Sequence, residues 1–256
     1  MNALLIRIVC SAVVAASCLE RTTNASIIDT KDSANFSYKY EMDVLPDSNG
    51  DWRVDGANGG TVADGLLLLS SSTDRGAYTS DTIGEIWPGK TTYNTGYTIE
   101  ARVKITSATI YGYGLQGIPG PTTASQPCSE LWINENQLVW GDGSSQVILA
   151  SGQDNTNDFH VFRLAQESGV GAPGAATYSV WRDGVLLSNS LSEPFMNQGL
   201  ERIIFGGFAG GHSAVSETDY VRFEVGAYAP VPEPASIAIL ISASSTLLVC
   251  SRRRKQ

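Results

Sequence analysis

Two carboxylates five positions apart, in Glu130-Leu131-Trp132-Ile133-Asn134-Glu135, have the residue type and spacing for acid–base work. Two acids flanking a glycosidic bond can divide the labour, one protonating the leaving oxygen and the other acting as nucleophile or base. Side chains of a straight strand alternate faces, so an odd separation puts Glu130 and Glu135 on opposite sides unless a bulge intervenes. The two histidines offer less. His160 alternates with Phe162 and Leu164, which suits a hydrogen-bonded structural role, and His212 sits in the glycine-rich run Gly206-Gly207-Phe208-Ala209-Gly210-Gly211-His212. No Ser/His/Asp ordering is readable. Cys10, Cys18 and Cys250 fall near the chain ends, leaving Cys128 alone between them. An intradomain disulfide and a Cys/His zinc cluster are therefore excluded. Gly112-Tyr113-Gly114-Leu115-Gln116-Gly117 matches the dinucleotide fingerprint as text. That fingerprint works only where a helix begins, and Ile118-Pro119-Gly120-Pro121 forbids one, so the segment reads as a loop.

Binding chemistry is the other option. Tyr111, Tyr113 and Trp132 lie in or beside glycine-rich text, and flat rings of this kind stack on sugar faces. Asp219 precedes the last strand and, with the early acid Asp32, can bind calcium where the ends of a sandwich meet; no other cofactor is expected. The chain is acidic, with a formal net charge of −9. Setting aside the six cations and one acid outside residues 26–234 leaves 11 basic and 25 acidic residues, a net of −14. Such a surface repels phosphate backbones, so nucleic acid is not an expected partner.

The elements that must position these groups are strands. Thr98 to Thr106 alternates without a fault, with Ile99, Ala101, Val103 and Ile105 on one face and Glu100, Arg102 and Lys104 on the other. Tyr220 to Val225 repeats the pattern. Tyr178 to Arg182, then Asp183-Gly184, then Val185 to Leu187, is a hairpin with an Asp-Gly turn. Further strands are expected at 65–70, 129–133, 137–140, 146–150, 159–165 and 202–208. Outside the two ends no segment holds a helical apolar period, so the fold class is all-β, an antiparallel sandwich of about 200 residues.

The texts Tyr97-Thr98-Ile99-Glu100-Ala101-Arg102-Val103, Asn157-Asp158-Phe159-His160-Val161-Phe162-Arg163-Leu164, Trp181-Arg182-Asp183-Gly184 and Thr218-Asp219-Tyr220-Val221-Arg222-Phe223 occur in an order that resembles concanavalin A-like, laminin-G-like jelly rolls over roughly 60–228. The resemblance implies a jelly-roll β-sandwich used for carbohydrate or protein binding and in some members for glycoside hydrolysis. Laminarinase-type hydrolases of this fold use a Glu-x-Asp-x-x-Glu strand whose middle Asp tunes the pair. Here Trp132 stands in place of that Asp.

The ends carry addressing signals. Residues 1–25 read as a signal peptide, with Arg7 early, an apolar run from Ile8 to Ser17 and a cut after Ala25. The jelly-roll domain is expected over 26–228, followed by a linker and tail over 229–256. There Val231-Pro232-Glu233-Pro234 precedes an apolar segment of about 235–250 and the cluster Arg252, Arg253, Arg254 and Lys255. As a helix that segment would span about 24 Å, short of the ~30 Å hydrocarbon core, with the cations held inside. Motif, helix and Arg cluster together resemble the PEP-CTERM sorting signal. That resemblance implies cutting by an exosortase-type membrane protease in an organism that makes extracellular polysaccharide. The expectation is thus an exported protein, held transiently in the inner membrane and then placed at the cell surface or outside the cell. The sequence favours a non-catalytic envelope or matrix role with carbohydrate binding. The alternative is a laminarinase-like hydrolase using Glu130 and Glu135.

Overall fold

The structure is a computed structural model that describes residues 28–48, 52–54, 58–71, 73–79, 96–109, 111–118, 126–141, 146–167, 176–192, 195–197, 202–207 and 213–232. The signal peptide, His212, Glu233, Pro234, the segment 235–250 and Arg252, Arg253 and Arg254 lie outside the described residues. Among the described residues no helix is long and apolar enough to cross a membrane.

The described chain is all-β. Its strands are β1 (Asp29–Thr30), β2 (Tyr38–Tyr40), β3 (Arg53–Val54), β4 (Thr61–Ala63), β5 (Leu66–Leu69), β6 (Arg75–Thr79), β7 (Tyr97–Ala108), β8 (Tyr113–Ile118) and β9 (Gln126–Ile133). They continue as β10 (Gln137–Trp140), β11 (Val147–Ser151), β12 (His160–Gln166), β13 (Tyr178–Arg182), β14 (Val185–Leu191), β15 (Phe195–Asn197), β16 (Arg202–Gly206), β17 (Ala214–Val225) and β18 (Tyr228–Ala229). Two sheets form a jelly-roll sandwich. One runs β11-β10-β9-β8-β16-β6-β3 with β15 beside β9, and the other runs β14-β13-β12-β7-β17-β5-β4 with β2 beside β17. Every pairing within them is antiparallel. Neighbours in sequence often lie in different sheets, as β5 and β6 do, and β7 and β8.

Period-two alternation builds the core. Ile99, Ala101, Val103 and Ile105 of β7 face Leu115, Leu131, Ile133 and Phe205 of the other sheet, and all are fully buried. Trp52 packs edge-on against Phe205, with ring centroids 5.6 Å apart. Hydrogen bonds also cross the core: Tyr97 of β7 donates to Ser129 Oγ of β9 at 2.7 Å. Gly117 must be glycine, because a Cβ there would lie 2.4 Å from the Tyr97 hydroxyl. The Asp-Gly hairpin forms as expected, with Asp183 at φ 50° and Gly184 at φ 76°, the signature of a type I′ turn.

The segment read as a loop differs. Tyr113 to Ile118 is a central strand, β8, whose Tyr113 and Leu115 are in the core. Gly114 and Gly117 mask the alternation in sequence because they carry no side chain to read as apolar or polar.

Both ends of the sandwich run over the outside of the β7-containing sheet. β1 and β18 pair in parallel, Asp29 with Tyr228 and Thr30 with Ala229. They lie over a polar layer that includes Glu100, Arg163, Tyr220 and Glu224.

Candidate functional site

Pairing register places the site on the outer face of the β9-containing sheet. Directly opposed residues share a face, so cross-strand partners define transverse rows. One row reads Arg53, Ala77, Ile204, Gln116, Glu130 from β3 to β9. The next reads Arg75, Gly206, Gly114, Trp132, Val139, Ile148 from β6 to β11. A third carries Arg202 beside Ile118. The intervening rows, such as Phe205, Leu115, Leu131 and Trp140, point into the core. Glu130 therefore alternates with core residues on its own strand and stands opposite an amide, Gln116.

The face is enclosed rather than open. Glu130 and Gln116 are each 5% exposed, while Trp132 and Ile204 are each 1% exposed. Trp132, Val139 and Ile204 form an apolar cluster of their own, separate from the core, with the half-buried Tyr111 packed on it. The Tyr111 and Trp132 rings are 5.8 Å apart at 58°. A carboxylate, an amide and an aromatic pair on one sheltered face can orient a sugar and exchange a proton with it.

The sequence candidates separate. Glu130, Trp132 and Tyr111 come together on this face. Tyr113 does not join them: it is fully buried in the core, where Thr218 donates to its hydroxyl at 3.4 Å. Glu135 is not on the face either. β9 ends at Ile133, and Asn134, Glu135 and Asn136 make the turn into β10. Glu135 Oε1 accepts from the Ala108 amide at 3.1 Å, so this acid reaches across the end of the sandwich to the opposite sheet. The fully buried Asn155 fixes the same turn: its amide donates to Asn134 O at 2.7 Å, its backbone N–H donates to Glu135 O at 2.9 Å, and its carbonyl accepts from Ile105 at 3.0 Å. No strand bulge rescues the pairing of Glu130 with Glu135, because a turn replaces the strand between them.

Asp32 and Asp219 also hold separate posts. Asp32 caps the 3₁₀ turn Ser33–Asn35, accepting from Ala34 N at 2.9 Å. Asp219 is the extra residue where the β17 register shifts, and it pairs with Arg102. Among the described residues no group of three or more His, Cys, Asp or Glu could hold a metal ion. His160 is hydrogen-bonded on both ring nitrogens, to Asp183 at 2.8 Å and Asn157 at 2.9 Å, which ties β12 to the β13–β14 hairpin.

A cavity of about 370 Å³ lies on the outer face of the other sheet, lined by Asp32, Glu100, Arg163, Tyr220, Val231 and Pro232. The Glu100 carboxylate is committed: Arg163 donates to Glu100 Oε2 and Tyr220 to Glu100 Oε1. Burial first, and then the Glu100 charge, push the Tyr220 phenol well above its ordinary value, so it stays a neutral donor. This is a supporting network under the terminal strands.

Gln116, Arg53, Arg75 and Arg202 are residues of the face that sequence reasoning missed. The only signal available was the alternation of Gly114 and Gln116 against Tyr113 and Leu115, legible once β8 is taken as a strand.

No family model matches the chain, and no curated protein matches it in sequence. Solved structures do resemble it. One is a prokaryotic β-1,3-1,4-glucanase (lichenase) derived from a mouse hindgut metagenome, 15% identical, covering 73% of this chain and 98% of that one with a TM-score of 0.47. Another is a Bacillus licheniformis β-glucanase, 15% identical, covering 73% and 97% with a TM-score of 0.45. A third is domain 4 of a GH43 extracellular arabinanase from Geobacillus stearothermophilus in complex with arabinotriose, 15% identical, covering 76% and 94% with a TM-score of 0.48. At these identities the likeness is one of fold. The preference for a non-enzyme is corrected on this finding, since glycoside hydrolases stand among the similar structures.

Proposed function

We propose that this chain acts on polysaccharide, as a glycan-active hydrolase of jelly-roll architecture working through the outer face around Glu130. The observation that carries the reading is Glu130 itself: a nearly buried carboxylate turned away from the core, opposite Gln116 and next in its row order to Trp132. Glu130 protonates the leaving oxygen as the glycosidic C–O bond breaks, water adds to the sugar carbon and returns its proton to the Glu130 carboxylate, Gln116 fixes a hydroxyl, and the Tyr111–Trp132 pair provides an apolar wall. Among the described residues of that sheet Glu130 is the one carboxylate, so Glu135 is not its partner.

The test is release of reducing ends by the full chain from β-1,3-1,4-glucan, β-1,3-glucan and arabinan. Glu130→Gln should lower turnover about a hundredfold or more. Glu135→Gln should retain it. An inactive wild type on every glycan tried would overturn the reading. A folded but inactive Glu135→Gln would restore the two-acid arrangement expected from sequence.

Delivery is a separate part of the proposal. Val231-Pro232-Glu233-Pro234, the apolar segment and Arg252, Arg253 and Arg254 support sorting by an exosortase-type protease, with the domain exported to the cell surface or beyond and extracellular polysaccharide as its partner. Val231, two residues after β18, is half exposed, and Pro232 is exposed, as a protease site requires. Mass spectrometry of the mature C-terminus tests it: an end near Pro234 is expected, and an intact Gln256 in the mature protein overturns it.

A further inference from the structure

One lateral edge of the sandwich is built from β11, which ends the β9-containing sheet, and β14, which ends the β7-containing sheet, and the two strands lie against each other. Their texts are Val147-Ile148-Leu149-Ala150-Ser151 and Val185-Leu186-Leu187-Ser188-Asn189-Ser190-Leu191. Neither holds a charged residue or a proline, in a chain whose residues are 17% charged. Charges and prolines are the usual means of keeping an open sheet edge from pairing with another chain. Among the described residues each strand has a single neighbour in its sheet, β10 for β11 and β13 for β14. One row of backbone N–H and C=O groups on each therefore points outward from the sheet.

The side chains divide by what they touch. Leu149, Ala150, Leu187 and Leu191 pack on the core. Val147, Ile148, Val185 and Leu186 are exposed instead, and Val185 at 64% and Ile148 at 60% are the most exposed large apolar residues described. The register places the four alike. Val147 and Ile148 stand opposite Trp140 and Val139 and precede the shift in β11, while Val185 and Leu186 stand opposite Arg182 and Trp181 and precede the shift in β14. A shifted register bends an edge away from a partner strand. Here the regular, pairable stretch of each edge is the one that carries the exposed valine, isoleucine and leucine. Single apolar residues scattered over a surface need no explanation, but four on two adjoining uncharged strands mark a contact.

We infer that this edge is a docking surface for a second copy of the chain, with β11 and β14 as the contact strands. Charge points to that occupant. Acidic residues outnumber basic ones by 26 to 17, so two copies repel where their charged faces meet, and the two strands offer a contact in which no like charges oppose. A basic partner is drawn to the acidic faces rather than to a strip without charge. A two-fold axis across the edge sets each strand antiparallel to its own copy, the sense in which both sheets are already paired, and gives the open N–H and C=O groups partners. Size sets the strength. β14 is about 23 Å long, and two sheets about 10 Å apart make a strip roughly 20 Å wide, so each copy buries on the order of 500 Å², below the roughly 800 Å² per partner of a standard interface. The dimer is therefore weak, with dissociation in the micromolar range.

The test is sedimentation of the full chain in detergent between about 1 and 100 µM, with Ile148→Lys and Val185→Lys measured alongside. The wild type should pass from monomer to dimer across that range. Each lysine should raise the dissociation constant about tenfold or more, by placing a charge in an apolar contact. Both positions are exposed, so the variants should melt with the wild type. An increase confined to one variant supports the inference for that strand. A wild type that is monomeric at about 100 µM overturns it, whatever the variants do. A dimer whose dissociation constant is unchanged in both folded variants overturns it as well, because the apolar segment of about 235–250 or another face then holds the copies together.

Discussion

Arg163 grips Glu100 with Nε and Nη2 both 2.6 Å from one carboxylate oxygen, in side chains that are 3% and 4% exposed. The pair sits on the outer face of its sheet, under the strands that begin and end the domain, with Phe36 stacked 5.1 Å from the guanidinium. Removing one member leaves a desolvated charge. Glu100→Gln should therefore cost about 3–5 kcal/mol, whereas replacing both with Leu and Met should cost much less. Urea unfolding of both single variants and the double variant checks this, and a double loss equal to the sum of the two single losses would show that the pair is not coupled.

Asp74 ties the crossing from β5 to β6. Its carboxylate accepts from Ser70 N at 2.8 Å, Ser70 Oγ at 3.0 Å and Ser71 Oγ at 2.7 Å. Burial works against its ionisation, but the hydrogen bonds from Ser70 and Ser71 outweigh it and hold the carboxyl below its ordinary value. The folded chain thus binds this proton less tightly than the unfolded chain. Its stabilisation is complete above the unfolded carboxylate value of about 3.9 and is lost as pH falls through the lower folded value. Asp74→Asn should cost about 1–3 kcal/mol at neutral pH. The gap between wild type and variant should narrow on acidification below about pH 4. Thermal melts across that range decide it, and a constant gap would refute the assignment.

Most of this fold was legible in the residues because period-two alternation is a local property. Ile99, Ala101, Val103 and Ile105 pack where their alternation puts them, and Asp183-Gly184 turns where its chemistry demands. Legibility failed at Tyr113 to Ile118, where Gly114 and Gly117 hid a central strand. The break at Asn134-Glu135-Asn136 was legible, since the strands expected at 129–133 and 137–140 leave it between them, but the hold that Asn155 puts on that turn comes from elsewhere in the chain. The arginines of the face were beyond reach of the linear text: Arg53, Arg75 and Arg202 are far apart in sequence and share a face only through strand order and register.

Ser129 is the polar bridge through the core. It accepts from the Tyr97 hydroxyl at 2.7 Å and from the Gly117 amide at 2.8 Å, and it is fully buried. Ser129→Ala would leave two buried donors to find other acceptors, Tyr97→Phe none. The serine substitution should therefore be the worse of the two, by about 1–2 kcal/mol. Chemical denaturation of both measures it, and a costlier Tyr97→Phe would mean that packing of the ring outweighs the hydrogen bonds.

The last strand decides where the folded domain ends. Tyr228 N donates to Thr98 Oγ1 at 2.9 Å, Lys31 N donates to Ala229 O at 3.0 Å, and Arg163 Nη1 reaches Tyr228 O at 3.5 Å and Lys31 O at 2.9 Å. β18 is thus half of a two-strand cover over the Glu100–Arg163 pair, and Tyr228 also lies 5.1 Å from the Lys31 ammonium. A chain ended after Val225 loses that cover, opens the ion pair to water and leaves β1 without its partner. A chain ended after Pro232 keeps all of these contacts and loses only the tail. The first truncation should lower stability by about 2–4 kcal/mol, from several lost hydrogen bonds at ~1 kcal/mol each, while the second should match the uncut domain. Melting the two side by side is the measurement. If both melt alike, β18 contributes nothing to the fold.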